Sequence, residues 1–364
     1  MRGWSANGLV EMLYPNTYDA GSSGNGYEEL LNRDIKFQGY GNNYDFMYIA
    51  IRRPDGLVGK PVEDGTKVFG MTYGSADSGT PQFRTPTVDV NDFTFYWQPA
   101  SGGSRYCGSR LLESRYWYTN SSGPTANDPN EKYDYMNGFG SWTSNGTSFL
   151  SYVWKRHAGF DVMCWLGNSV VGRQIPHNLG RAPEMIWIKK RTQTGNWIAG
   201  HIGMNGGINP WQYTMQIDST DTSTDNEWAF NDTAPTNIAI TLGNDSNCNT
   251  TGQEYTAMLF SSVDGVSKCG YYDGTGSAGH VITTGFLPRL LIIRTVNANN
   301  GWFTYDTLRG LGAGADPYLQ LQNTNVQDSS GADVFATSST GFTINQSYSS
   351  VNASGQKYIY YAHA

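Results

Sequence analysis

The chain repeats itself at an interval of about a hundred residues, and that interval restricts its folds more than any other feature. Tyr48-Ile-Ala-Ile-Arg-Arg-Pro-Asp-Gly56, Tyr152-Val-Trp-Lys-Arg-His-Ala-Gly159, Tyr255-Thr-Ala-Met-Leu-Phe-Ser-Ser-Val-Asp-Gly265 and Tyr358-Ile-Tyr-Tyr-Ala-His-Ala364 share one frame. Their first tyrosines are 104, 103 and 103 residues apart. A fixed period marks an array of one module, and missing it misreads the whole fold. Arrays serve reach, multivalency or assembly more readily than a single cleft.

The frame continues upstream of the last two tyrosines. Met185-Ile-Trp-Ile-Lys-Lys190 is followed by Gly195-Asn-Trp197, and Leu290-Leu-Ile-Ile-Arg-Thr295 by Gly301-Trp302. Pro183 and Pro288 keep the same offset, as do Cys164 and Cys269. An earlier copy is looser, with Phe93-Thr-Phe-Tyr-Trp97 and Arg105-Tyr106 in the corresponding places. Met1-Arg-Gly3 matches the end of Asp306-Thr-Leu-Arg-Gly310, so the chain reads as opening halfway through a repeat. Half a β module leaves strand edges unpaired, which points to a longer polypeptide, a neighbouring chain or a degenerate cap. The expected division is a partial repeat at 1–57, a divergent repeat at 58–160, and repeats at 161–266 and 267–364.

Composition sets the class. There are 44 Gly, 24 Tyr, 15 Phe and 11 Trp, and 15% of residues are charged. Short apolar runs bounded by Gly, Asn, Asp and Pro dominate, and only Glu28-Glu-Leu-Leu-Asn32 suggests a helix. Asn145-Gly146, Asp273-Gly274, Asn300-Gly301 and Asn352-Ala-Ser-Gly355 read as hairpin turns. The expected fold is all-β, built from tandem antiparallel β-sandwich repeats.

A net charge of −7 without a basic stripe argues against nucleic acid. No apolar run of ~20 residues spans a membrane, and the first residues lack the apolar core of a secretory signal.

Chemistry is sparse. No zinc spacing or CxxC occurs, and the four cysteines read as small buried hydrophobes, with a Cys248–Cys269 pair as the alternative. His157, His177, His201, His280 and His363 fall in no catalytic motif. Asp218, Asp221, Asp225 and Glu227 read as a solvated acidic loop, with calcium as the rival reading. No catalytic residue, metal site or cofactor is expected.

Aromatics divide in two. Trp197, Trp302, Tyr152, Tyr255 and Tyr358 recur with the module and are expected in its core. Trp97, Tyr116-Trp117-Tyr118, Trp142, Trp154, Trp211 and Trp228 belong to single copies. Tyr116, Trp117, Trp211 and Trp228 are the expected aromatic binding surface, because exposed Trp and Tyr stack on sugars or anchor interfaces.

Residues 161–364 resemble a repeat of tailed-bacteriophage structural proteins, often marine and described as tail-fibre-like. Gly180-Arg-Ala-Pro183-Glu-Met-Ile-Trp-Ile-Lys189 with Asn196-Trp197, and Gly285-Phe-Leu-Pro288 with Gly301-Trp302, carry the resemblance. It implies an exterior virion protein, a tail fibre or capsid decoration, that contacts other virion proteins and adheres to host-surface glycans; low charge and abundant aromatics add the expectation of a homo-oligomer. The rival readings are a secreted carbohydrate-binding adhesin or lectin and a polysaccharide depolymerase.

Overall fold

Several strands of this chain show no inside–outside alternation. Phe93–Trp97, Leu150–Trp154, Met185–Lys190 and Leu290–Thr295 are buried at every position. A strand buried on both faces needs a layer on each side, and the computed structural model shows both layers. The structure describes residues 64–364 apart from 76–80, 86, 113, 142–145 and 330, together with short strands among the first 38 residues.

Among the described residues, three large antiparallel sheets share one strand order. The first runs Ala126–Asn127, Arg115–Tyr118, Tyr106–Ser109, Phe93–Trp97, Leu150–Trp154, Phe69–Tyr73. The second runs Thr224–Asp225, Tyr213–Gln216, Ile198–His201, Met185–Lys190, Glu254–Phe260, Phe160–Leu166. The third runs Leu319–Gln320, Phe303–Asp306, Leu290–Thr295, Lys357–His363, Ser267–Asp273. A small sheet covers the outer face of each: Phe83–Arg84 with Gly138–Phe139, Arg173–Pro176 with Ala239–Leu242, and His280–Thr283 with Gly341–Ile344 and Phe335–Ser338. The protein is therefore all-β, and each large sheet with its cover forms a sandwich-like lobe.

The lobes are not strung out as an array. Their inner faces meet in one central core that takes Phe95 and Trp154 from the first, Trp187 and Phe260 from the second, and Ile292 and Tyr361 from the third. Phe260 lies 6.5 Å from Trp154 and 5.0 Å from Tyr361, ring centre to ring centre. Each lobe keeps a second core beneath its cover. The apolar inner faces explain the departure from a linear array, since a separated lobe would leave them in water.

Three sets of contacts run around the seams in one direction. Arg105 Nε donates to Gln320 O, Trp197 Nε1 to Tyr118 O and Trp302 Nε1 to Gln216 O, each at 2.9 Å. Gly103 N donates to Thr324 O at 2.8 Å, Gly195 N to Ser122 O at 2.8 Å and Asn300 N to Thr220 O at 2.9 Å. A buried cation also reaches a carbonyl of the neighbouring lobe at each seam: Lys189 to Ser122, Arg294 to Asp221 and Arg105 to Asn325. The second and third lobes place the cation in the strands Met185–Lys190 and Leu290–Thr295 and the tryptophan just before the next strand, Ile198–His201 and Phe303–Asp306. The first lobe exchanges them, with Trp97 and Arg105. Burial lowers Lys189 to about 8 and Arg105 and Arg294 to about 10.

The register corrects part of the repeat. Tyr255 and Tyr358 sit under the covers of their own lobes. Tyr358 Oη accepts from Ala353 N at 2.9 Å and donates to Ser349 O at 3.0 Å, and Tyr255 Oη meets Thr250 N and Ser246 O at the same distances. Each hydroxyl ties down the loop that leads into its own strand. Tyr152 does not share this role. Trp154 pairs with Phe93, where Phe260 pairs with Met185, so Tyr152 matches Met258 and faces the central core. An odd-numbered slip turns a side chain to the other face. Tyr358→Phe is expected to cost about 1 kcal/mol by leaving Ala353 N and Ser349 O without their partner, read as a lower urea midpoint. An unchanged midpoint would reject the tie.

Other expectations are also corrected. Cys269 pairs with Tyr361, whose match Met258 pairs with Val162, so Cys164 and Cys269 are not equivalent. The four cysteines are buried thiols, and Cys248 and Cys269 form no disulfide. Asp273-Gly274 is no hairpin: the chain leaves the large sheet for the cover there, and a Cβ on Gly274 would stand 2.1 Å from Ala353 O. The helix expected over Glu28–Asn32 gives way to a strand over Glu28–Leu30, its described part. Tyr27–Leu30 pairs with Ile35–Gln38 as antiparallel strands, since so short a segment does not sustain a helix nucleus. Apart from four such strands the partial repeat at 1–57 lies outside the described residues, as does Trp142.

Candidate functional site

Alternation along Arg115–Tyr118 sorts the aromatic residues of that strand. Trp117 points inward, is fully buried and packs edge-on against Trp197 at 5.8 Å. It is a core residue and not a binding residue. Trp211 is also withdrawn, buried against Phe230 at 5.4 Å. Trp228 is 53% exposed on the one-turn helix Glu227–Phe230. Tyr116 and Tyr118 fall on the opposite face from Trp117 and are half-buried.

These two tyrosines form a cluster with Tyr106 of the neighbouring strand. Tyr106 lies 5.6 Å from Tyr116 and 5.1 Å from Tyr118, and the latter two are 5.4 Å apart. Tyr118 Oη donates to Tyr116 Oη at 3.4 Å. Below them Tyr96 stacks on Tyr106 at 4.9 Å, and its hydroxyl donates to the buried Glu131 carboxylate, which also accepts from Tyr133 and Ser141. Desolvation raises the Tyr106 phenol to about 12 and pushes Tyr116 up as well, so both hydroxyls stay protonated at neutral pH. The strand beneath is held in place because Tyr118 O accepts the Trp197 indole. The cluster offers ring faces and phenolic donors on a rigid sheet, which suits stacking and hydrogen bonding.

The remaining candidates have structural roles. Trp197, Trp302, Tyr152, Tyr255 and Tyr358 are all buried. Asp218 Oδ1 accepts from Trp197 N at 3.1 Å, and Asp221 Oδ2 accepts from Ser219 Oγ at 2.7 Å. Among the described residues no group of three or more His, Cys, Asp or Glu side chains is arranged to hold a metal ion. His201 and His363 are fully buried, and desolvation lowers both to about 3.

The family model for Domain of unknown function (DUF7483) matches residues 131–364. The chain belongs to that family. The match covers the second and third lobes and enters the first at Glu131, leaving Tyr106, Tyr116 and Tyr118 upstream of it. No curated protein and no solved structure matches the chain.

Of the aromatic surface expected from the sequence, Tyr116 belongs to this cluster, while Tyr118, a single-copy aromatic outside that set, and Tyr106 join it in the structure. The signal was present: in Tyr116-Trp117-Tyr118 a two-residue period places the tyrosines on one face and the tryptophan on the other. The pairing with Tyr106 depends on register, which single-strand patterning does not carry.

Proposed function

We propose that this chain is a non-catalytic structural protein on the exterior of a tailed-phage particle, a tail fibre, appendage or capsid decoration, and that it adheres to host-surface glycans. The observation that carries the adhesive part is the cluster of Tyr106, Tyr116 and Tyr118 on the first lobe. Phenol rings stack on the apolar faces of sugars, and their few torsions limit the entropy lost on binding. The repeat segments that resemble phage structural proteins support the virion assignment. A body closed on its own core suits a load-bearing exterior part. Homo-oligomers, assembled alongside other virion proteins, would let weak glycan contacts add by effective concentration. The net charge of −7 speaks against nucleic acid as partner, and among the described residues no helix is long and apolar enough to cross a membrane.

The test is retention on immobilised host-envelope polysaccharide. The wild-type protein is expected to be retained, and the Tyr116→Ala/Tyr118→Ala double variant to bind about tenfold more weakly, a change of about 1.4 kcal/mol, with its melting temperature preserved. Equal retention of both proteins removes the tyrosine surface from the reading. Release of reducing ends from the polysaccharide would establish a depolymerase instead.

A further inference from the structure

The seam between the second and third lobes carries a polar depression of about 530 Å³ that lies apart from the tyrosine cluster. That volume is in the range of ligand sites, ~300–1,000 Å³. Its walls are unlike those of an apolar-ligand pocket. Asp218 and Thr220 of the second lobe face Asn300, Gly301, Gln320 and Gln322 of the third. No lysine, arginine or histidine lines it.

Local hydrogen bonds decide which amide atoms face the depression. Gln322 Oε1 accepts from Trp302 N at 2.9 Å, and Asn300 Oδ1 accepts from Gly301 N at 2.9 Å. Gln320 Oε1 accepts from the Asn323 amide. Each oxygen is therefore engaged within the third lobe, and the Gln320 and Gln322 amide nitrogens lie as donors against Gly301 in the wall of the depression. Asp218 spends Oδ1 on Trp197 N, and its carboxylate supplies acceptor capacity on the opposite wall. Asn300 N also donates to Thr220 O, which fixes the two walls relative to each other.

Glycine at 301 holds this arrangement open. A Cβ there would stand 2.4 Å from both Gln320 Nε2 and Gln322 Nε2, so the two donors lie side by side over the bare Cα. The matching position of the second lobe is Asn196.

We propose that this depression is a second binding site, and that its ligand is a neutral saccharide. Side-by-side amide donors suit hydroxyl and ring oxygens, and a carboxylate accepts from adjacent hydroxyls. An anion would meet the Asp218 carboxylate on a wall with no cationic side chain among its lining residues, and an apolar ligand would leave the amides unpaired. The site stands on its own geometry and requires neither the tyrosine cluster nor the virion assignment.

Calorimetry and saturation-transfer NMR with methyl glycosides of glucose, galactose, mannose and N-acetylglucosamine test it, with glucuronate as the anionic control. At least one neutral glycoside is expected to bind with millimolar affinity, and glucuronate more weakly. Gly301→Asn and Gln320→Leu are each expected to weaken that binding about tenfold or more. Gly301→Asn displaces only the ends of two flexible side chains, and Gln320→Leu removes one donor, so both variants should retain the wild-type melting temperature. If Gly301→Asn unfolds the protein, Gln320→Leu decides. All of these measurements are made in the Tyr116→Ala/Tyr118→Ala background, which silences the tyrosine surface, so the glycoside binding that remains and its loss in Gln320→Leu belong to this depression. The proposal is overturned if none of the four glycosides binds, if glucuronate binds as well as they do, or if binding survives Gln320→Leu.

Discussion

Replacing Asp306 by alanine is expected to destabilise the protein by about 3–5 kcal/mol. Asp306 and Arg309 form an ion pair whose side chains are 0% and 1% exposed. Tyr152 Oη donates to Asp306 Oδ2, and Arg309 Nη2 donates to Tyr152 Oη at 3.1 Å and to Thr304 O at 2.9 Å. Tyr152 belongs to the first lobe and the ion pair to the third, so this network closes the ring between its ends. Burial alone would lower the Arg309 guanidinium, but Asp306 and Tyr152 more than offset it and hold it above its ordinary value. Removing the carboxylate leaves that charge buried without a counterion and Tyr152 without an acceptor. Removing both charges together, in Asp306→Leu/Arg309→Leu, is expected to recover much of the loss, because desolvating two charges is itself costly. Guanidinium unfolding followed by tryptophan fluorescence reads both variants. A loss below about 1 kcal/mol for Asp306→Ala would show that the seam does not depend on the pair.

Mild acid is expected to be nearly as damaging. His201 and His363 are fully buried, and desolvation lowers both to about 3 from an ordinary 6.5. His201 Nδ1 accepts from Gly203 N at 2.9 Å, and its Nε2 lies 3.3 Å from Tyr360 O, an arrangement that fits the neutral ring. His363 packs against Phe69 at 4.6 Å, and its Nε2 is buried without a partner. The folded state thus keeps both rings neutral at pH values where the unfolded chain protonates them. Between pH 6.5 and about 3 the unfolded state binds more protons, so stability falls as pH falls. Each histidine contributes up to about 1.4 kcal/mol per pH unit in that window. Desolvation lowers His157, 6.3 Å from His363, in the same direction. Denaturant midpoints measured from pH 7.5 to 4.5 should hold nearly level to about pH 6.5 and then decline, and His201→Gln should flatten the decline. A midpoint independent of pH across that range would contradict neutral burial of both rings.

Much of the fold could be read directly from the chain. Short apolar runs between Gly, Asn and Asp specify strands, because those residues supply turns and the runs cannot supply a helical stripe. Trp197 and Trp302 recur because at two of the three seams an indole donates to a carbonyl of the neighbouring lobe, a place that Arg105 Nε takes at the third. The exchange of Trp97 and Arg105 in the first lobe obscured the same arrangement there, although its composition, one tryptophan and one cation, is unchanged.

The sequence by itself determined the module, its all-β class and its interval, because those follow from local backbone preference and two-residue alternation. Only the tertiary structure decided that Trp117 and Trp211 are buried, that Tyr152 faces a different core from Tyr255 and Tyr358, and that Asp218 and Gln322 line one depression at a seam. The reason is that strands buried on both faces carry no mark of which face meets which layer. Contacts between residues a hundred positions apart arise only when the lobes close around their shared core.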